Sequence, residues 1–425
     1  MSAPIRVTAE RLVERMTDAE RARAARVDRI LPALREKAAE ADRTGEFPMS
    51  HVALIREAGL FGLIIPEAYG GLGGGLRDLM GATYAMAQAC PSTTLSFFFH
   101  CSSASRGLLA LEAIEAGLFT QQEIPLVKSF AEKVLHKMGR EGKWLANFAS
   151  ETNKNAKAAI TISTEAKKTQ GGWLLKGEKS FGCATGVADE YLVAAKLEGY
   201  DTAEGMALFF VPRDAAGVRE RVKWDAIGMR ASATHGLILD DVFIPESEAL
   251  TVPSAFTRMM QMSRGSFVGN QAAAASAYLG GAQAVFDHTL AHITKNKFQD
   301  TGEPIGSSPF HQELIGRMRV DLETAYLWTR RQMELETSEP PLLPKEDVVA
   351  QWRMCKGEVT EAAFRVGLGA LKCGGTSATM NDNPVARAVR DLIMGLVQAF
   401  PAERGRLEVA KMLVLGAGQP QFGVK

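Results

Sequence analysis

The run Ser96-Phe97-Phe98-Phe99-His100-Cys101-Ser102 sets one imidazole among three aromatic rings. Imidazole titrates closest to neutral pH of all side chains, so His100 could relay a proton there. The same run also suits a buried histidine satisfied by backbone, with Phe97 to Phe99 as core. Two further histidines, His288 and His292, stand four apart on one helical face, but no third ligand or HExxH pattern accompanies them, so no metal site is expected. The five cysteines (Cys90, Cys101, Cys183, Cys355 and Cys373) include no CxxC pair. Such a sparse, odd set argues against a disulfide framework and suits a reducing compartment. Glycines cluster at 70–75 and again at Gly374-Gly375, where backbone could approach a ligand closely.

These residues need a scaffold, and composition bounds it. The chain has 425 residues, 46% of them apolar and 23% charged, which suits two or three packed units with a sizeable core. Acidic and basic residues balance at 49 each, leaving no electrostatic footprint for nucleic acid or an anionic membrane. The opening Met-Ser-Ala-Pro-Ile-Arg has no signal-peptide core and no apolar run reaches the length of a membrane span, so a cytoplasmic protein is expected. Helical periodicity fills residues 1–142, for example over Ala24 to Arg43 and Asp78 to Ala89. Short β-branched and aromatic segments separated by turns fill 143–253. They include Ala158 to Ser163, Gly172 to Lys176, Glu190 to Ala195, Ala207 to Val211 and Leu237 to Ile244. Long helical patterns return over 254–425, at Gly265 to Lys295, Pro309 to Glu336, Lys345 to Lys372 and Ala402 to Ala417. The predicted class is α+β: an N-terminal helical domain, a central antiparallel β domain and a C-terminal four-helix bundle.

Five segments, in order, resemble the acyl-CoA dehydrogenase superfamily. They are Ala58 to Gly71, Gly228-Met229-Arg230-Ala231-Ser232 with Asp240 to Pro245, Gly280 to Ala284, Cys373-Gly374-Gly375-Thr376, and Pro384 to Ala410 with its Arg390-Asp391 pair. The resemblance spans nearly the whole chain and implies that family's fold, an FAD cofactor and a homotetramer or homodimer. It implies cofactor contacts at Phe148, Ser150, Phe181, Cys183, Lys295, Phe298, Gly374 and Gly375. It implies substrate contacts at Phe99, Asn270, Gln271, Ala399 and Phe400.

The sequence also departs from that pattern. Dehydrogenases of the family abstract an α-proton with a glutamate, because a weakly acidic C–H needs a base in a water-poor pocket. Counting ten positions from Arg390, inclusive, reaches Ala399, and the minority location on the long helix falls on Asn270; neither side chain accepts a proton. Glu403, four residues on, is either a shifted base or a solvent-facing glutamate favoured by a helix start. A threonine that faces the flavin in dehydrogenases aligns with Cys183, read as a thiol beside the flavin or as a small packing residue. The family's monooxygenase branch needs no such glutamate and often carries a histidine near the flavin, a role that His100 could fill. The expectation is an oxygen-using flavoenzyme acting on an acyl- or aryl-CoA thioester or related aromatic metabolite, with His100, Cys183 and Glu403 as catalytic candidates. Its partners would be molecular oxygen and a flavin reductase. The alternatives are a dehydrogenase with a displaced base serving an electron-transfer flavoprotein, and a degenerate flavin or acyl-CoA binding protein.

Overall fold

Thr17 starts the first long helix with a reciprocal cap: its hydroxyl accepts the Glu20 N–H at 3.2 Å, and the Glu20 carboxylate accepts the Thr17 N–H at 2.7 Å. The helix, α1 (Asp18–Thr44), buries Val27, Ile30, Leu31 and Leu34 along one stripe and ends at Gly45, whose φ of 72° suits the left-handed cap. In the computed structural model, residues 6–152, 160–263, 271–398, 401–416 and 422–424 are described. Five more helices complete the first layer: α2 (Ser50–Glu57), α3 (Leu76–Ala87), α4 (Pro91–Ser103), α5 (Ser105–Glu115) and α6 (Ile124–Gly139).

The middle of the chain supplies β1 (Leu145–Phe148), β2 (Ile160–Ile162), β3 (Glu165–Thr169), β4 (Gly172–Lys179), β5 (Glu190–Leu197), β6 (Met206–Pro212), β7 (Val218–Glu220), β8 (Leu237–Pro245) and β9 (Ala249–Leu250). The main sheet runs β7-β8-β4-β3-β5-β6-β9. Its neighbours are antiparallel except along β5, where β3 and β1 lie parallel to it. The β5 and β6 strands are buried almost throughout, which their unbroken apolar runs require of central strands. Outside this sheet, β2 pairs in parallel with β10 (Phe422–Val424), a strand that the helical reading of the C-terminus did not anticipate.

The last part holds α7 (Ala255–Met260), α8 (Gln271–Lys295), α9 (Pro309–Thr337), α10 (Lys345–Gly374), α11 (Pro384–Val397) and α12 (Ala402–Leu415). Small residues let these helices approach closely. A Cβ on Gly280 would lie 2.1 Å from the Tyr84 carbonyl oxygen, and one on Gly357 would lie 2.6 Å from Ala402 Cα. The run Ala272 to Ala275 is fully packed against α3, where the Thr83 hydroxyl donates to Ala273 O at 2.8 Å. All three parts meet at one joint. Arg390 pairs with Asp42, the Met229 N–H donates to Asp391 Oδ1 at 2.7 Å, and Arg230 Nε donates to Asp42 O at 2.8 Å. Gly228 fits there because any Cβ would stand 1.8 Å from Arg390 O.

Candidate functional site

Two loops come together at the end of the sheet. One follows β1 through Ser150, and the other follows β4 through Phe181 and Cys183; the Ser180 N–H donates to Ser150 O at 2.9 Å. The Phe148 ring lies against Gly182, where a Cβ would sit 1.9 Å from it, and makes an edge contact with Tyr191. Beneath the loops, Glu151 and Lys179 form a wholly buried pair at 2.5 Å. Glu151 also accepts the Thr164 N–H at 3.0 Å and hydroxyl at 2.8 Å, and the Ser163 N–H at 2.7 Å. Burial opposes its charge, but Lys179 and these donors hold the carboxyl below its usual range. The structure therefore brings Phe148, Ser150, Phe181 and Cys183 into one place.

A third loop, 228–236, completes this end. The Ala184 and Thr185 N–H groups donate to Ser232 O and Ala233 O at 3.1 and 2.9 Å. Four non-glycine residues of these loops, Phe181, Ala184, Met229 and Ala233, have φ between 48° and 61°. Left-handed backbone at non-glycine residues is costly and gathers at functional sites. Cys183 is buried beside hydroxyls: Thr234 Oγ1 donates to its sulfur at 3.1 Å, Ser232 Oγ lies 2.7 Å from Thr234 Oγ1, and Ser96 Oγ donates to Ser232 O at 2.8 Å. Burial pushes the Cys183 thiol up to about 12, so it stays protonated at neutral pH. Phe181, by contrast, leaves 56% of its surface exposed on this strained loop, edge-on to Trp224. That aromatic face and the surrounding main chain fit a planar conjugated ring.

His100 takes the other of its two readings. On α4 it is fully buried; Nε2 lies 2.9 Å from Phe61 O, and Nδ1 accepts the Leu145 N–H at 3.0 Å. The Leu145 amide can only donate, so Nδ1 is unprotonated and Nε2 carries the proton. Burial lowers the ring's pKa to about 4. With both nitrogens committed to main chain, His100 pins β1 to the turn at Phe61. Its neighbours Phe97 and Phe98 are core, while Phe99 is half-buried. Glu403 also departs from the role of a shifted base: on the first turn of α12 its side chain is 78% exposed and faces Arg406 at 3.7 Å.

The remaining predicted residues stand on other elements. Lys295 is exposed at the C-terminus of α8, 17 residues beyond Tyr278 and so on the order of 25 Å along the helix. Phe298 is half-buried in the following turn; Gly374 and Gly375 stand at the end of α10, Gly375 with φ 60°. Gln271 begins α8. Asn270, Ala399 and Phe400 lie outside the described residues. Among the described residues, no group of three or more His, Cys, Asp or Glu could hold a metal.

Sequence reasoning missed several buried groups. Lys356, on α10, donates to Gly395 O and Gln398 O at 2.7 and 2.6 Å, and burial lowers its pKa to about 7. Beside it the Tyr278 hydroxyl donates to Gln398 Oε1, while Gln398 Nε2 is buried without a partner among the described residues. Asp391 lines a cavity of about 450 Å³ with Arg35, Tyr278, His288 and Arg387. Burial raises its pKa to about 7, against the Met229 N–H and with Asp42 adding to the rise. Only the place of Asp391 after Arg390 marked it in the sequence; nothing distinguished Lys356 from a surface lysine.

The chain was compared with known proteins. Three consecutive family descriptions match it: acyl-CoA dehydrogenase N-terminal domain over residues 17–113, middle domain over 146–242 and C-terminal domain over 260–414. A mitochondrial isovaleryl-CoA dehydrogenase of Arabidopsis thaliana is 25% identical over 88% of this chain and 85% of its own. An L-evernosamine nitrososynthase of a Micromonospora species is 32% identical, over 52% of this chain and 49% of its own. In fold, a KijD3 solved in complex with FMN superposes with a TM-score of 0.78 at 23% identity, covering 97% of both chains. No helix among the described residues is long and apolar enough to cross a membrane.

Proposed function

This chain belongs to the acyl-CoA dehydrogenase family, and from that premise we propose that it is a flavin-dependent, oxygen-using oxidoreductase. Its substrate would be an acyl- or aryl-CoA thioester or a related aromatic metabolite. The observation that carries this reading is Glu403 standing on the surface beside Arg406. The sequence offers only Ala399 and Asn270 where the family's base is expected, and Glu403 was the carboxylate nearest to hand. The groups around Cys183 are instead a protonated thiol and the hydroxyls of Ser96, Ser232 and Thr234. Such groups donate hydrogen bonds at neutral pH but do not remove a carbon-bound proton.

A flavin, taken here as FAD, would lie on Phe181 with Phe148 to Ser150 and Cys183 at its edge; when bound it supplies the two-electron redox chemistry and the reaction with oxygen. This chain's part is to bury the thiol and hydroxyls, align the strained loops and exclude water. Lys295, Phe298, Gly374 and Gly375, which stand at or just beyond the C-terminal ends of α8 and α10, would serve the cofactor of a neighbouring copy in a homodimer or homotetramer. A flavin reductase would supply electrons, in the cytoplasm. The likeness of half the chain to a nitrososynthase supports this reading, and the likeness to dehydrogenases along its length supports the flavin.

The test is an anaerobic titration of flavin-loaded protein with a panel of acyl- and aryl-CoA thioesters, followed at the flavin absorbance. The panel should leave the oxidised flavin unbleached, and reduced protein given oxygen and substrate should form an oxygenated product. Bleaching by any thioester would overturn the proposal in favour of a dehydrogenase serving an electron-transfer flavoprotein. A flavin-loaded protein with no turnover in either mode would make it a binding protein.

A further inference from the structure

Asp391 is only 4% exposed, yet half of its carboxyl has no partner. Oδ1 accepts the Met229 N–H at 2.7 Å, and among the described residues nothing donates to Oδ2. Arg387 and Arg390 act on the group through space alone. The side chain lines the cavity of about 450 Å³ between α3, α8 and α11, a volume within the range of small-molecule sites. A buried carboxyl with an unfilled acceptor is costly, and a donor brought by a ligand would remove that cost. The walls beside it are short and apolar, with Ala87, Ala89, Ala277, Gly281 and Ala284. Such residues leave a smooth-sided slot that suits a flat ring.

Away from Asp391 the charge changes sign. The cavity meets a second one, of about 800 Å³, along Pro384 and Arg387 at the start of α11. Arg35 lines the first cavity and Arg43 the second; among the described residues, neither they nor Arg387 has an ion pair or a side-chain hydrogen bond. Two of the acidic residues there are committed, Asp42 to Arg390 and Asp287 to Arg11, which leaves Glu40 and Asp382, both exposed, in the second cavity. Asn383 caps α11 by accepting the Val385 N–H at 2.9 Å, so an anion would be held by the arginine forks more than by main chain. Pro384 is seven residues before Asp391, about 10 Å along the helix. The exocyclic amino group and the phosphate of a nucleoside monophosphate stand a comparable distance apart, whereas a free amino acid carries its opposite charges too close together. We propose that the joined cavities form a nucleotide site, in which Asp391 accepts the amino group of the base and Arg387, with Arg35 and Arg43, holds the phosphate. Phe148, Ser150, Phe181 and Cys183 line neither cavity, so this site is separate from the flavin cradle.

Calorimetric titration of the flavin-loaded full chain with mononucleotides tests it, at pH 8, where the Asp391 carboxyl is largely ionised. AMP or CMP should bind roughly tenfold or more tighter than its counterpart IMP or UMP, in which a carbonyl replaces the amino group. The same nucleotide should exceed its nucleoside, which lacks the phosphate, by a similar factor. Asp391→Asn keeps an oxygen for the Met229 N–H and turns an amide N–H toward the ligand, so it should reverse the preference within each pair. Arg387→Met breaks no ion pair of the joint; it should bring the nucleotide down to the affinity of its nucleoside while the preference for an amino base remains. The flavin absorbance should stay constant throughout. Absence of binding at millimolar nucleotide, equal affinities within both pairs, or a preference that D391N leaves unmoved would overturn the proposal. So would release of flavin in step with nucleotide uptake, which would place the nucleotide in the flavin's own site.

Discussion

With Nε2 facing Phe61 O and Nδ1 accepting from Leu145, His100 has no nitrogen left for a substrate. Replacing it with alanine strands a buried carbonyl and a buried N–H, at about 1–3 kcal/mol each, so His100→Ala should lower stability by roughly 2–6 kcal/mol in a urea melt. Whatever folded enzyme remains should couple oxygen to product as the wild type does; increased hydrogen peroxide release at matched folded fraction would return His100 to the reaction. Glu403→Gln should leave turnover within about twofold, because surface substitutions away from special features change little. The contrast shows what residue types convey. The expectation that Phe148, Ser150, Phe181 and Cys183 meet came from the resemblance along the whole chain, since either segment alone reads as an ordinary β turn. The state of His100 was not legible, since it depends on main-chain groups 39 and 45 residues away. Lys356 was invisible for the same reason: a long cationic side chain on a helix looks solvent-facing until the packed neighbour is known.

The loops at the end of β1 and β4 depend on one missing methyl group. Gly182 has no Cβ where Phe148 lies, and alanine would place a carbon 1.9 Å from the ring. Gly182→Ala should therefore displace Phe148, cost about 1–3 kcal/mol and reduce the flavin retained on purification; full flavin content with an unchanged Tm would contradict that arrangement. The helices and central strands around these loops were readable from periodicity because long elements bury one stripe or both faces. Their junctions were less so. Helical periodicity carries no sign of β10 pairing with β2, and alternation does not reveal that β1 runs parallel to β5, because pairing partners are chosen by the tertiary fold.

Across the molecule, Asp391 is one of several buried groups through which pH acts. Its pKa rises from 3.8 unfolded to about 7 folded, so between those values the native state holds a proton that the unfolded chain has shed. This one group's contribution to stability falls as pH climbs through that window, by on the order of 4 kcal/mol, while the buried His51 and His100 rings, which burial lowers to about 4, contribute in the opposite sense. Asp391→Asn keeps an oxygen for the Met229 N–H and removes this contribution, so the stability of the variant relative to the wild type should rise in melts from pH 4 to pH 8; a difference that stays constant with pH would put the response elsewhere. The joint that surrounds Asp391 has another consequence. Asp42, Gly228 to Arg230 and Arg390 to Asp391 come from all three compositional zones, yet each closes on the others without a linker between them. The three zones should then unfold together. Scanning calorimetry should record one transition whose calorimetric and van't Hoff enthalpies agree, and limited proteolysis near residue 142 should release no fragment that survives alone.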